Sequence, residues 1–246
     1  MSVQICHARI DERGRISGGR AGDQSGREVS ITPWYSKPWK LVIRHPNEEL
    51  GRAAATLAVK AANSNLIGYD QGERNSFYRE LKKHNFNLDA YIASGVRTET
   101  DCSAFMYAIW CCLLPQMRAD GNAPTTSTMR GFFAQYGFTV LTGDRYLISD
   151  RFLKTGDVLV KPAGHTAIAI NDGSDADSAP QRQSNTSVRY RVTASALNVR
   201  RGAGTAYPIV AVVHKNEVFN IVEIQGHWGR LESGTGWISL NYAQKV

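Results

Sequence analysis

Two residues sit in settings that suit nucleophilic chemistry. Cys102 lies in Thr100-Asp101-Cys102-Ser103-Ala104-Phe105, where a polar turn opens into an apolar run. Phe105, Met106, Ile109, Trp110 and Leu113 recur at helical spacing, which predicts a helix with one buried face. Thr100 or Asp101 is placed to cap its first turn. Cys102 then meets unpaired backbone N–H groups and the positive end of the helix dipole. Such a setting lowers a thiol pKa from about 8.5 into a range of roughly 3.5–7.5 and makes a thiolate nucleophile. The competing reading, an inert core cysteine, is the commoner fate of a free thiol. The position at a helix start argues against it.

The second residue is His165, in Gly164-His165-Thr166-Ala167-Ile168-Ala169-Ile170. Alternation predicts a strand with His165, Ala167 and Ala169 on one face. The two alanines are expected to leave room for the nucleophile helix, so that the imidazole reaches the thiol. Upstream, Thr155-Gly156-Asp157 turns into Val158-Leu159-Val160, and Pro162-Ala163-Gly164 makes a hairpin back to His165. A cysteine on a helix start with a histidine on a strand is the papain-type layout for thiolate catalysis.

The elements that must position this pair are legible in outline. Residues 3–9 read as a strand with Val3, Ile5 and His7 on one face. The glycine-rich stretch 17–26 lacks the Gly-Lys-Ser/Thr ending of a phosphate loop and reads as a surface loop. Strands are predicted at 28–31 and 40–44, around Trp34, Tyr35 and Trp39, aromatics that either line a cleft or pack on the sheet. Asn47 caps a helix to about Ala62, residues 67–72 read as a loop, and a helix is predicted near 73–84. Ser127 caps a further helix, and strands follow near 138–141, 158–161 and 165–170. Helices first and strands after predict an α+β domain. From Asn171 to Ser187 there is almost nothing to bury, as in a linker. Beyond it, short apolar runs alternate with Gly/Asn turns, as in a small all-β barrel.

Composition bounds the remaining possibilities. A hydrophobic content of 42% supports a core, and no apolar run reaches the roughly 18–20 residues of a membrane helix. Four cysteines without Cys-x-x-Cys spacing predict neither a disulfide framework nor a zinc site, and no cofactor is expected. Residues 1–9 do not read as a signal peptide, so synthesis in a reducing cytoplasm is expected. The net charge of +7 is concentrated late: residues 182–246 carry eight Lys/Arg against three Asp/Glu. That surplus implies a polyanionic partner, and without a recognition helix or basic stacking platform it does not imply nucleic acid.

The segment Leu197-Asn198-Val199-Arg200-Arg201-Gly202, continuing through Gly226-His227-Trp228-Gly229 to Gly236-Trp237-Ile238, resembles bacterial SH3 domains. That resemblance implies binding to peptidoglycan or another wall polymer, with Tyr207, Trp228 and Trp237 as ligand contacts or as core. The preceding half resembles NlpC-like cysteine peptidases in Asp101-Cys102-Ser103, in Thr155-Gly156-Asp157-Val158, in Gly164-His165-Thr166-Ala167-Ile168 and in Ile67-Gly68-Tyr69-Asp70. It implies a papain-like α+β fold, Cys102 as nucleophile, His165 as base, and Tyr69, Asp101 and Ser103 beside the substrate.

The family's third polar residue, often in a His-Ala pair on the strand after the base, has no counterpart downstream. Ile5-Cys6-His7-Ala8 supplies it at the front of the chain, so residues 1–46 are expected to be the family's last strands, circularly permuted. The expected organisation is a peptidase domain over 1–172, a linker over 173–188 and an SH3 domain over 189–246. Together the resemblances imply a monomeric phage endolysin that acts at the bacterial wall without membrane insertion and cuts a stem-peptide bond. An N-acetylmuramoyl-L-alanine amidase on the same fold and a non-catalytic wall-binding protein are the alternatives.

Overall fold

Asn47 accepts hydrogen bonds from the backbone N–H groups of Glu49 and Leu50, and this cap starts the longest helix among the described residues. The computed structural model describes residues 2–36, 39–119, 121–176, 188–205, 207–225, 227–233 and 235–246. The chain divides into two compact units, Met1–Ser178 and Ala179–Val246. Most of the expected linker, residues 177–187, lies outside the described residues.

The first unit runs β1 (Gln4–Ala8), β2 (Val29–Pro33), β3 (Leu41–Arg44), α1 (Glu48–Asn63), β4 (Ile67–Tyr69), α2 (Ser76–Lys83), α3 (Leu88–Ser94), β5 (Thr98–Thr100), α4 (Cys102–Leu113), α5 (Met129–Gln135), β6 (Thr139–Leu141), β7 (Val158–Lys161) and β8 (His165–Ala169). Six strands form one sheet in the order β2-β1-β8-β7-β3-β6, and β4 and β5 form a separate parallel pair. Strand β1 is therefore interior, antiparallel to both β2 and β8. α+β architecture follows.

Both faces of the sheet are covered, which is why its strands read as near-continuous apolar runs. On one face Cys6, Ala8, Leu41, Ile43, Val158, Val160 and Ile168 pack against the helices, around fully buried Phe105, Met106, Ile109 and Trp110 of α4. On the other, Val3, Ile5, Trp39, Val42, Leu159, Ala167 and Ala169 form a second, smaller cluster with Leu153. Here the structure corrects the sequence reading: the two alanines face the cluster away from α4, and Ile168 is the residue of β8 that meets the helices. An Arg44–Asp157 ion pair, with bonds of 2.7 and 2.6 Å, ties β3 to the start of β7.

Residues 67–72 are not all loop, because β4 pairs with β5 just ahead of α4. Gly68 is required there, since a Cβ would lie 2.8 Å from the carbonyl oxygen of Gly22. The glycine-rich segment thus docks on β4, held by Glu28, which accepts from the N–H groups of Gln24 and Tyr69, and by Asp70, which accepts from that of Gly18. Beside them Glu99 is buried, with one carboxyl oxygen unpartnered. Burial, and the nearby charges of Asp70 and Glu73, push its pKa up to about 7. An acid raised in the folded state binds its proton more tightly there than in the unfolded chain, so stability falls as pH rises from about 4.5 through 7. Glu99→Gln should raise the melting temperature at pH 8 and leave it nearly unchanged at pH 4. With solvent screening discounted to a relief of about 1 kcal/mol, the gain is roughly 2–4 °C by calorimetry. An equal shift at both pH values would rule out the charging cost.

The second unit contains β9 (Val188–Val192), β10 (Ala196–Arg200), β11 (Ile209–His214), β12 (Val218–Gln225), β13 (Trp228–Leu231), β14 (Trp237–Ser239) and β15 (Ala243–Lys245). They form one sheet, β11-β10-β14-β13-β12-β9-β15, around a core of Val192, Leu197, Val199, Val213, Ile221, Leu231 and Ile238. Trp228 and Trp237 are half-buried and Tyr207 is half-exposed, so none of the three belongs to that core. No helix among the described residues is long and apolar enough to cross a membrane.

Candidate active site

Asp101 is the N-cap of α4, its side chain accepting from the Ala104 N–H at 2.7 Å, and this places Cys102 on the first residue of the helix. The thiol is buried beside β8, where the N–H groups of Thr166 and Ser103 favour its ionised form. They do not win. Burial first, and the Asp101 carboxylate second, push the Cys102 pKa up to about 12. The helix-start argument alone gave the opposite direction, because it counted the dipole and not the desolvation. At neutral pH the resting group is a thiol.

His165, next to Thr166, opens β8 and is only half-buried. Its Nε2 lies 2.7 Å from Nδ1 of His7 on the neighbouring strand β1. His7 Nε2 in turn lies 3.1 Å from the hydroxyl of Thr32 on β2. With Nε2 of His165 engaged, Nδ1 is the nitrogen free to take a proton. That requires Nε2–H of His165 to donate to His7, and Nε2–H of His7 to donate to Thr32, a run with one consistent direction. Desolvation and the nearby positive charge of Arg9 hold His165 down at about 4 and, with His165 itself, His7 at about 3. Both imidazoles are neutral at the pH of ordinary assays. Trp39 stacks on His165 with ring centroids 6.0 Å apart, and Tyr35 stacks on Trp39 at 5.2 Å. The aromatics therefore do both things the sequence left open: Trp39 is core, and half-exposed Tyr35 borders the site.

Thr32 was not legible in the sequence, and only the register of β1 against β2 brings it to His7. Thr32→Val keeps the strand and removes the acceptor. Losing one hydrogen bond of about 0.5–1.5 kcal/mol, it should lower turnover about two- to tenfold with KM unchanged. Steady-state kinetics on soluble wall fragments will check this, and an unchanged turnover would remove Thr32 from the relay.

Arg74 is the other residue that sequence reasoning missed. Its Nε donates to Asp101 at 2.5 Å, and its Nη2 to the Ser103 hydroxyl and to the Pro124 carbonyl, both at 2.9 Å. The capping Asp101 thus accepts from the Ser103 hydroxyl, and both are bonded to Arg74 on the flank of Cys102. The turn at 123–126 held by Arg74 also carries Thr126, whose hydroxyl accepts from the N–H of Gly164, the residue before His165. One guanidinium links the helix cap to the hairpin ahead of His165. Tyr69 is buried, takes a hydrogen bond from Gln71 on its hydroxyl, and is held as a phenol by a pKa pushed up to about 12. No group of His, Cys, Asp or Glu among the described residues is arranged to hold a metal ion.

The family model of the endolysin-like domain matches residues 5–176, which spans β1 through β8 and every residue of the site. The chain belongs to the endolysin-like domain family. A second family model, the bacterial SH3 domain, matches residues 195–244. No curated protein and no solved structure matches the chain. An endolysin-like domain joined to a bacterial SH3 domain makes this an endolysin-like cell-wall protein. Within the endolysin-like domain, the thiol, the two imidazoles and Thr32 come from four different elements, α4, β8, β1 and β2.

Proposed function

We propose that the endolysin-like domain is a thiol hydrolase that cuts an amide bond in the stem peptide of peptidoglycan, on a papain-like fold of the NlpC type. The observation that carries this reading is the His7–His165 hydrogen bond on the strand whose Thr166 N–H reaches the thiol of Cys102, the first residue of α4. His7 comes from the front of the chain, on an interior strand that pairs directly with β8, as the family's last strands would if moved to the N-terminal side. That supports the circular permutation of residues 1–46.

In the proposed mechanism substrate binding excludes the remaining water, and the Sγ proton passes to Nδ1 of His165 as sulfur attacks the scissile carbonyl. The resting pKa values of about 12 and about 4 disfavour a standing thiolate–imidazolium pair, so proton transfer and attack occur together. His7 and Thr32 fix the tautomer and orient the ring. The backbone N–H of Cys102, at the positive end of α4, stabilises the oxyanion. The imidazolium returns its proton to the leaving amine, and water, deprotonated by His165, releases the acyl group and restores the thiol.

Mass spectrometry of digested wall tests the bond: new amino termini within stem peptides are expected. Free lactyl-linked muramic acid would instead make the enzyme an N-acetylmuramoyl-L-alanine amidase.

The proposed division is a peptidase over 1–172, a linker over 173–188 and a wall-binding SH3 domain over 189–246. The basic surplus of the last segment gives its attachment an electrostatic share, screened over about 8 Å at physiological salt. A protein ending at Ser178 should cleave soluble fragments at the full-length rate and lyse intact cells about tenfold or more slowly, having lost the high local concentration that tethering supplies. Equal lysis by the two proteins would remove the wall-binding role.

A further inference from the structure

The sheet face that carries His7 and His165 also carries two cations that nothing in the proposed mechanism uses. Lys161 of β7 is directly opposite His165 in the antiparallel register. Residues opposite one another in such a pair have Cβ atoms about 5 Å apart on the same face. On the other side of β8, Cys6 pairs with Ile168, and Arg9 follows directly on the end of β1, near enough for its charge to act on His165. Arg9 shares its face with His7, two residues earlier, and its backbone is anchored by donation to the Glu28 carbonyl. His165 thus has Lys161 opposite it on β7 and Arg9 near it just past the end of β1.

Both cations are exposed, and among the described residues no carboxylate pairs with either. The Lys161 stem runs across Gly164, where a Cβ would lie 2.5 Å from Cδ, so it is laid along the hairpin that leads into His165. Electrostatics agree with the register. The charges of Arg9 and Lys161 both act on His165, and that of Arg9 acts on His7, in each case against protonation. Two unpaired cations beside a base that must become cationic are a handicap unless an anion arrives with the substrate.

We propose that Arg9 and Lys161 form a carboxylate-binding pair, so that the preferred substrate presents a free carboxylate beside the amide bond attacked by Cys102. The proposal rests on the reading of Cys102 and His165 given above. A carboxylate held between the two cations anchors the substrate and cancels the positive field at the ring, making His165 a better base when the correct substrate is bound. Stem peptides occur with an acidic residue as the free acid or as its amide, and the pair selects the acid. Arg9 and Lys161 bind substrate and make no bond to the reacting atoms.

The experiment uses the full chain and two reagents that report on Cys102 without requiring turnover. Iodoacetate carries a carboxylate and iodoacetamide does not, and both alkylate the same sulfur. Their rate ratio at Cys102, read by peptide mass spectrometry, should fall about fivefold or more in the Arg9→Gln/Lys161→Gln protein at low salt. Added salt should reduce the wild-type ratio and leave that of the double variant nearly unchanged. An unchanged ratio overturns the proposal.

In parallel, matched peptides with a free acid or its amide next to the scissile bond are compared. The wild-type protein should prefer the acid about tenfold in kcat/KM, and the double variant should lose the preference. Equal cleavage of both peptides by the wild type also overturns the proposal. If the alkylation ratio falls as expected and neither peptide is cut, the carboxylate pair stands and the peptidase reading is the part that fails.

Discussion

Replacing Cys102 with alanine should abolish wall lysis in a protein that still folds, a loss of roughly a thousandfold or more. Alanine is well tolerated at a first helical position and leaves the Asp101 cap intact, so circular dichroism and thermal melting should match the wild type. The other three thiols serve as controls. Cys6 packs under α1 with its sulfur on the Ala58 carbonyl, Cys111 is fully buried in α4, and the Cys112 sulfur lies on the Ala108 carbonyl one turn back. Alanine at any of them removes packing but no chemistry. Turbidity assays on purified walls decide the matter: a folded Cys102→Ala protein that lyses walls at a comparable rate would sink the assignment.

His165→Ala should cost nearly as much, because a nucleophile and its base act as a unit. A general base contributes about 100- to 10,000-fold. The pH profile carries a further signature. A base held down at about 4 stays unprotonated far below the ordinary histidine range, so activity should persist through pH 5 and fall only as pH drops toward 4. An acid limb near 6.5 would mean that substrate restores an ordinary imidazole pKa in the complex. The profile of kcat/KM reports the free enzyme and that of kcat the complex, so measuring both separates the two cases. Less than a tenfold loss in the alanine variant would point to a different base.

What the sequence made legible was set by how local each signal is. The helix from Cys102 is written in about three turns of apolar spacing and a capping aspartate, and the structure reproduces it with Asp101 as the cap. The strand at His165 and the hairpin before it are equally local. The short helix α3 and the β4–β5 pair were not read, since seven and three residues are too few for periodicity to declare itself. The alanines of β8 were assigned to the wrong neighbour because alternation separates the two faces of a strand without saying which layer covers which. Arg74 and Thr32 lay further out of reach. Arg74 lies 27 positions before Asp101 and Thr32 lies 25 after His7, and no local pattern marks them. The charge state of the thiol was misjudged for a related reason: dipole and cap are visible in six residues, whereas desolvation is a property of the finished core.

The interior position of β1 has a consequence for the order in which the protein comes to life. His7 and His165 are separated by 158 residues along the chain, yet they are joined by a hydrogen bond in the middle of the sheet. At synthesis rates of about 5–20 residues per second, the first strand waits roughly 8–30 s on the ribosome before its partner has been made. During that interval helices can form, but the slot between β2 and β8 cannot close, and long-range pairing of this kind is slow even for a released chain. A truncated or stalled product therefore lacks the ordered His7–His165 pair. On the proposed reading, the catalytic unit is competent only when nearly all of it has been made.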